Sequence, residues 1–264
     1  MTKRNREQII VYAPDSHGQH IDIPAAKAFL KDVKSLSPNG IVGLGDQTDC
    51  GGIFSTHQRS FTNEMTESYE DDVAATNKFL DGWSAAAPDA WLKILEGNHE
   101  QHVERWASRT FPSHKDAVGM LERYGIEKVL DLKERGIQYY KRSEFYQGIS
   151  IPGTIKIGKC FVVHGICANK YATAAHLARF GDNVVHGHTH RAQSFLGRTV
   201  SKDCIGAWCP GTLAKQQPLY MHTNPTDWTH GYGVQFIQPS GAFMHINVPI
   251  YKGVSMLHSV AKAV

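Results

Sequence analysis

Five short blocks of Asp, His and Asn, each placed directly after an apolar run, constrain this chain more than any other feature of it. They are Asp15-Ser16-His17, Gly45-Asp46-Gln47-Thr48-Asp49, Gly97-Asn98-His99-Glu100, His164-Gly165 and Gly187-His188-Thr189-His190. The runs before them (Ile9 to Ala13, Ile41 to Leu44, Trp91 to Leu95, Cys160 to Val163 and Val184-Val185) read as β-strands. Their continuous apolar character fits strands buried on both faces, as in parallel sheets. In open α/β sheets, loops at the carboxyl ends of such strands converge on one crevice. The blocks are therefore expected to form one site.

Helical patterns fill the gaps between the strands. Pro24 opens one, with Phe29, Leu30, Val33 and Leu36 at helical spacing. A long amphipathic helix is expected from about Glu64 to Ala87, with Met65, Tyr69, Val73, Leu80 and Trp83 toward the core and Pro88 after it. From Glu100 to about Gly148 the chain is more polar and more helical, and a helical insertion at about 100–148 is expected. Thr154 to Ile157 and Cys160 to Val163 flank Gly158-Lys159 and read as a hairpin. A short helix from Tyr171 to Phe180 follows. Beyond His190 the pattern turns to β at Ser194 to Leu196, Tyr232 to Ile237 and Ala242 to Val248. Strands alternating with helices argue for an α/β fold with parallel pairing. No repeat or linker divides the 264 residues. The expected architecture is a single domain over 1–264, two mixed β-sheets packed as a sandwich and flanked by helices.

Composition narrows the classes. A formal net charge of +3 is too small to argue for a nucleic-acid partner on its own. The five Cys form no CxxC pair, so neither a disulfide framework nor a structural zinc site is indicated, and a reducing compartment fits best. The apolar run after Lys3, Arg4 and Arg6 is too short for a signal peptide and leads straight into Asp15. No stretch has the length of a membrane span. A cytoplasmic protein without membrane contact is expected.

The donor types carry chemistry. Asp15 and His17 flank Ser16, so in extended chain both can point to one side. The Asp46 carboxylate has two oxygens and can bridge two cations. Asn98 offers a neutral carbonyl oxygen. His188 and His190 can deliver two imidazoles to neighbouring ions from one turn, and His164 completes the set. Oxygen and imidazole without thiolate suit Mn, Fe or Zn rather than Ca.

This set resembles the calcineurin-like metallophosphoesterase superfamily, whose pattern is DxH, GDxxD, GNH(D/E), H and GHxH. All five blocks are present, in order, from Asp15 to His190. The resemblance implies two divalent ions, Mn²⁺ first, with Fe, Zn and Ni as alternatives. It implies that one ion takes Asp15, His17, Asp46 and His190, and the other Asp46, Asn98, His164 and His188. It also implies that His99 assists the leaving group, oriented by Asp49, while a hydroxide bridging the ions attacks a phosphoester. Cys209-Pro210-Gly211-Thr212 looks like the NPGS turn of many members, with Cys in place of Asn.

Within the superfamily two branches compete. The Asp15-Ser16-His17-Gly18 start and the Asp46 to Asp49 block look like the phosphoprotein phosphatases, but Cys50 stands where their phosphate-gripping Arg belongs. The two-His ending looks like the phosphodiesterase and nuclease branch. The reading is a phosphodiesterase whose partner is a phosphoester substrate: DNA, RNA or a nucleotide. The alternatives are a phosphomonoesterase, including a protein phosphatase, and a non-catalytic metal-binding scaffold. His20, His102 and His186 are expected to pack beside the site rather than to ligate. Tyr139 to Arg142 reads as a solvated strand face before a nucleic-acid groove. Cys204 and Cys209 read as small buried hydrophobes. Trp208 and Trp228 either line the cleft or pack.

Overall fold

The computed structural model describes residues 7–54, 68–141, 153–221 and 224–257. Lys3, Arg4, Arg6, Glu64, Met65 and Arg142 lie outside them. In chain order the elements are β1 (Gln8–Ala13), α1 (Ile23–Leu36), β2 (Gly40–Gly43), α2 (Tyr69–Ala86), β3 (Trp91–Leu95), α3 (Gln101–Thr110), α4 (His114–Tyr124), α5 (Ile126–Val129) and β4 (Ile137–Tyr140). There follow β5 (Ile155–Ile157), β6 (Cys160–Val163), α6 (Ala172–Phe180), β7 (Val184–His186), β8 (Ala192–Gly197), β9 (Ile205–Pro210), β10 (Gly231–Ile237), β11 (Phe243–Tyr251) and β12 (Val254–Ser255).

The strands form a seven-stranded sheet in the order β12-β11-β10-β1-β2-β3-β4 and a five-stranded sheet in the order β5-β6-β7-β9-β8. Both are mixed. β1, β2, β3 and β4 run parallel, and β10 joins β1 antiparallel. In the second sheet β6, β7 and β9 run parallel between antiparallel β5 and β8.

The period of two along each strand sets the layers. Ile10, Tyr12, Val42, Val162 and Val185 point between the sheets, where they pack with Leu44, Leu95 and Trp208. Their neighbours Val11, Ala13 and Ile41 pack outward with Phe29, Leu80 and Trp83 of α1 and α2. On the other flank Val163 and Val184 pack with Leu177 of α6. The molecule is thus a sandwich of two mixed sheets with helices outside. Among the described residues no helix is long and apolar enough to cross a membrane.

Several boundaries differ from the sequence reading. α2 opens at Tyr69, where extended Ser68 caps it, its hydroxyl accepting from Asp71 N, and the start of the expected helix near Glu64 lies outside the described residues. The polar middle segment holds α3, α4 and α5 and then returns a strand, β4, to the edge of the larger sheet. There Tyr139 donates to Glu96 and Lys141 pairs with Glu127 at 2.7 Å, so this stretch is engaged within the protein. β9 was not expected, yet it is buried along its whole length. Cys209 is buried as expected, whereas Cys204 is exposed in the turn before β9. Trp208 packs between the sheets against Phe243.

One buried histidine makes stability depend on pH. His245 on β11 sits between the sheets beside Trp208 and Tyr12, bonded to Asn247. Burial pushes its pKa down from 6.5 to about 3, against the bond to Asn247. The unfolded chain therefore binds a proton that the folded one refuses. The contribution of His245 to stability is full above pH 6.5 and is lost as pH falls from there toward about 3. His245→Gln is expected to flatten that part of the profile. Urea unfolding at pH 7 and pH 5 measures it, and an unchanged pH slope would contradict the assignment.

Candidate metal centre

The five blocks leave the carboxyl ends of parallel strands in both sheets. β1, β2 and β3 deliver Asp15, Asp46 and Asn98, while β6 and β7 deliver His164 and His188. The loops bond to one another first. The Asp46 carbonyl accepts Ser16 N and His17 N at 3.1 and 3.0 Å. Glu100 is buried and staples two loops: Oε2 accepts Asp46 N and Gly97 N at 2.9 and 2.8 Å, and Oε1 accepts Thr48 N at 3.1 Å.

The backbone is bent to fit. His17, Asp46, His188 and His190 all have positive φ, between 49° and 71°. Non-glycine residues hold such angles only where surrounding structure over-determines them. Two glycines serve space rather than conformation. A Cβ at Gly97 would lie 1.9 Å from Asp46 Oδ1, and one at Gly187 would lie 2.5 Å from Asp15 Oδ2. Both positions give room to a site carboxylate.

The side chains then converge. Asp15, His17 and His190 have ligand atoms within 4.8 Å of one another, and so do Asp46, His164 and His188. His164 Nδ1 donates to the Leu44 carbonyl at 2.8 Å, which places its proton there. Its Nε2 lone pair then faces Asn98 Oδ1 at 3.0 Å and Asp46 Oδ2 at 3.2 Å. His17 repeats the arrangement, with Nδ1 on Asp49 Oδ1 at 2.8 Å and Nε2 facing His190 Nε2 at 3.0 Å. His190 Nε2 lies 3.2 Å from Asp15 Oδ1, and both Asp15 oxygens accept His188 N. At His164 a lone pair turned on two oxygens fits a cation, and His17, His190 and Asp15 bring a second group of donors as close together. The residues thus suit divalent ions by their own geometry.

A third group, His17, Asp49 and His99, is a hydrogen-bonded relay. Asp49 Oδ1 takes both His17 Nδ1 and, at 3.1 Å, His99 Nδ1, which also reaches the Asp49 carbonyl. Burial works against charge on His99, but the carboxylates of Asp46 and Asp49 outweigh it and raise its pKa to about 10. In the metal-free protein His99 is an imidazolium at neutral pH, with its side chain 14% exposed against 0% for His164. Burial and then the His99 charge lower His17 to about 4, keeping it neutral. Burial lowers His188 to about 4 as well. Burial opposes ionisation of Asp49 too, yet its bonds to His17 and His99 hold its carboxyl well below the usual range.

The surroundings sort the remaining expectations. His20 Nε2 lies 3.7 Å from Asp49 Oδ2, with its ring against Tyr220. His102 packs on His99, and His186 stacks on His176 and bonds Thr173. Trp228 packs edge-on to His190 at 4.1 Å. Cys50 is fully buried in the core with α2. Cys209 interacts with Thr189 Oγ1, while Thr212 of the same turn donates to the Asp15 carbonyl at 2.8 Å. Two residues that sequence reasoning passed over are prominent here. Glu100 was a member of the third block without an assigned task, and Asp72 of α2 carries no motif signal.

Fold and site together define an α/β sandwich with a buried Asp/His/Asn centre at the carboxyl ends of strands from both sheets. Comparison with known proteins adds likeness in chain course. No family model matches the sequence, and no curated protein matches it either. Among solved structures, a single mutant of Vps29 from Entamoeba histolytica is 14% identical with a TM-score of 0.44, covering 94% of this chain and 95% of that one. TT1561 of Thermus thermophilus is 9% identical with a TM-score of 0.41, over 92% and 99%. YfcE, a phosphoesterase from E. coli, is 17% identical with a TM-score of 0.36, over 90% and 98%.

Proposed function

We propose that this chain is a metal-dependent phosphoesterase of the calcineurin-like kind, acting on phosphodiesters of nucleic acids or nucleotides. The observation that carries the reading is the facing of His164 Nε2, Asn98 Oδ1 and Asp46 Oδ2, mirrored by His17, His190 and Asp15. Asp15, His17, Asp46 and His190 would hold one divalent ion, and Asp46, Asn98, His164 and His188 the other. Mn²⁺ suits the oxygen and imidazole donors, with Fe, Zn and Ni as alternatives. When bound, the ions supply Lewis-acid activation of water and neutralise charge at the phosphoryl oxygens.

The chain's own groups do the rest. Asp49 holds His99 by its Nδ1, so the ring keeps one orientation. As an imidazolium, His99 gives a proton to the leaving oxygen. Glu100 fixes the loops that carry Asp46 and Asn98. The bend at His17 and His190 turns both rings into the crevice walls, away from bulk water.

Burial of Cys50 favours a diester. A monoester dianion carries more charge and gains more from an Arg clamp. Position 50 supplies none, being Cys and packed in the core. The Mn²⁺-loaded protein is therefore expected to hydrolyse bis-p-nitrophenyl phosphate with a higher kcat/KM than p-nitrophenyl phosphate, each normalised to its uncatalysed rate. A phosphopeptide turned over far faster than any diester or nucleic acid would replace this reading with a phosphatase.

A further inference from the structure

Asp72 lies outside every block, yet it grips two of the site loops. It sits in the first turn of α2, fully buried. Its Oδ2 accepts Cys50 N at 2.7 Å, and its Oδ1 accepts Gln19 N at 3.1 Å and Asp49 N at 3.4 Å. The loop after His17 is pressed against this carboxylate so closely that a Cβ at Gly18 would lie 1.7 Å from Oδ1. One turn on, Thr76 reaches the Gln47 carbonyl at 3.3 Å. One face of α2 thus seats the ends of both loops.

An Asp in the first turn of a helix usually serves the helix itself, by its charge near the N-terminus. Here the α2 cap is made by Ser68 instead. The Asp72 carboxylate bonds to backbone N–H groups far away in sequence. A carboxylate bonded to several N–H groups is a strong and directional anchor. What it anchors is Asp49, and Asp49 in turn holds the Nδ1 atoms of His17 and His99.

We propose that Asp72 is a positioning residue for leaving-group protonation: it fixes the Asp49 segment, and Asp49 then aims His99. The proposal rests on the phosphoesterase reading for its kinetic half only. Without the Asp72 carboxylate the Asp49 segment shifts, and His99 loses its line to the leaving oxygen. Loss of aim costs most where the leaving group needs a proton and little where it does not. Two of the proposed metal ligands keep their own anchors, Leu44 O for His164 and His188 N for Asp15, while His17 shares Asp49 with His99.

The test uses Asp72→Asn, which keeps shape while one acceptor oxygen becomes a donor, with Asp72→Ser as a second variant that lets water take the carboxylate's place. With diphenyl phosphate, a poor leaving group, kcat per bound metal at saturating Mn²⁺ is expected to fall by about 10–10²-fold, and with bis-p-nitrophenyl phosphate by less than about 3-fold, with KM retained. Thr76→Val, which loses the hydroxyl contacts to the Gln47 and Asp72 carbonyls but leaves the Asp72 carboxylate in place, should keep the wild-type dependence on leaving group. A second readout needs no activity. In metal-free protein the low-field Nδ1–H proton resonance of His99, assigned by its absence in His99→Ala, should move upfield in Asp72→Asn.

An equal loss on both esters, no loss on either, or an unmoved His99 resonance overturns the proposal. Failure of both variants to fold does so as well, because it assigns Asp72 to stability. A wild type inert on every phosphoester would sink the functional reading, while the resonance would still decide whether Asp72 aims His99.

Discussion

Asp46→Ala is expected to abolish hydrolysis and to strip the protein of bound divalent metal. Asp46 joins three parts of the site. Its Oδ2 faces His164, its Oδ1 accepts His99 N at 2.9 Å, and its carbonyl holds the loop of Ser16 and His17. As the ligand proposed for both ions, it would supply their shared negative charge. Without it two cations would sit close together with nothing between them. The loss should exceed the about 10–100-fold typical of residues that merely support a ligand. Elemental analysis and turnover after Mn²⁺ loading measure the two effects together. A variant that keeps two ions and near-normal turnover would refute the shared-ligand assignment.

His99→Ala separates chemistry from metal binding. His99 neighbours Asn98 in sequence, but its ring belongs to the Asp49 relay and not to the His164 group. Metal content should stay at the wild-type level while the rate falls by about 10²–10⁴-fold, as for loss of a general acid. The deficit should shrink with p-nitrophenolate as leaving group, which leaves without much help. In the metal-free protein the carboxylates of Asp46 and Asp49 let His99 keep its proton up to about pH 10. An equal deficit on good and poor leaving groups would remove the acid role.

Much of this site could be read before any coordinates. The blocks lie at strand ends, and their strands are short apolar runs with one reading each. What escaped depended on contacts distant in sequence. β9, Ile205-Gly206-Ala207-Trp208-Cys209-Pro210, mixes Gly, Ala and Pro and carries no period, and only its place between β7 and β8 makes it a strand. β4 was legible only as a strand face over Tyr139 to Arg142, because its pairing with β3 is made across three helices in a polar region. Asp72 was invisible for the same reason: its partners Gln19 and Cys50 belong to two other loops. Glu100 stood in plain view as part of a block, but its three backbone bonds to loop N–H groups have no signature in sequence.

The donors arrive from two separate sheets, and that division makes the hydrophobic interior a gauge for the chemistry. Asp15, Asp46 and Asn98 ride on one sheet, His164 and His188 on the other. Tyr12, Val42, Val162 and Trp208 fill the gap and fix how far apart the two halves stand. Protein interiors are packed densely enough to transmit a change of one methylene. A larger or smaller side chain there would widen or narrow the crevice without altering any residue that lines it. Reactivity in this protein can therefore drift through its oily middle, and substitutions such as Val42→Ile or Val162→Ala belong in any screen for altered metal spacing.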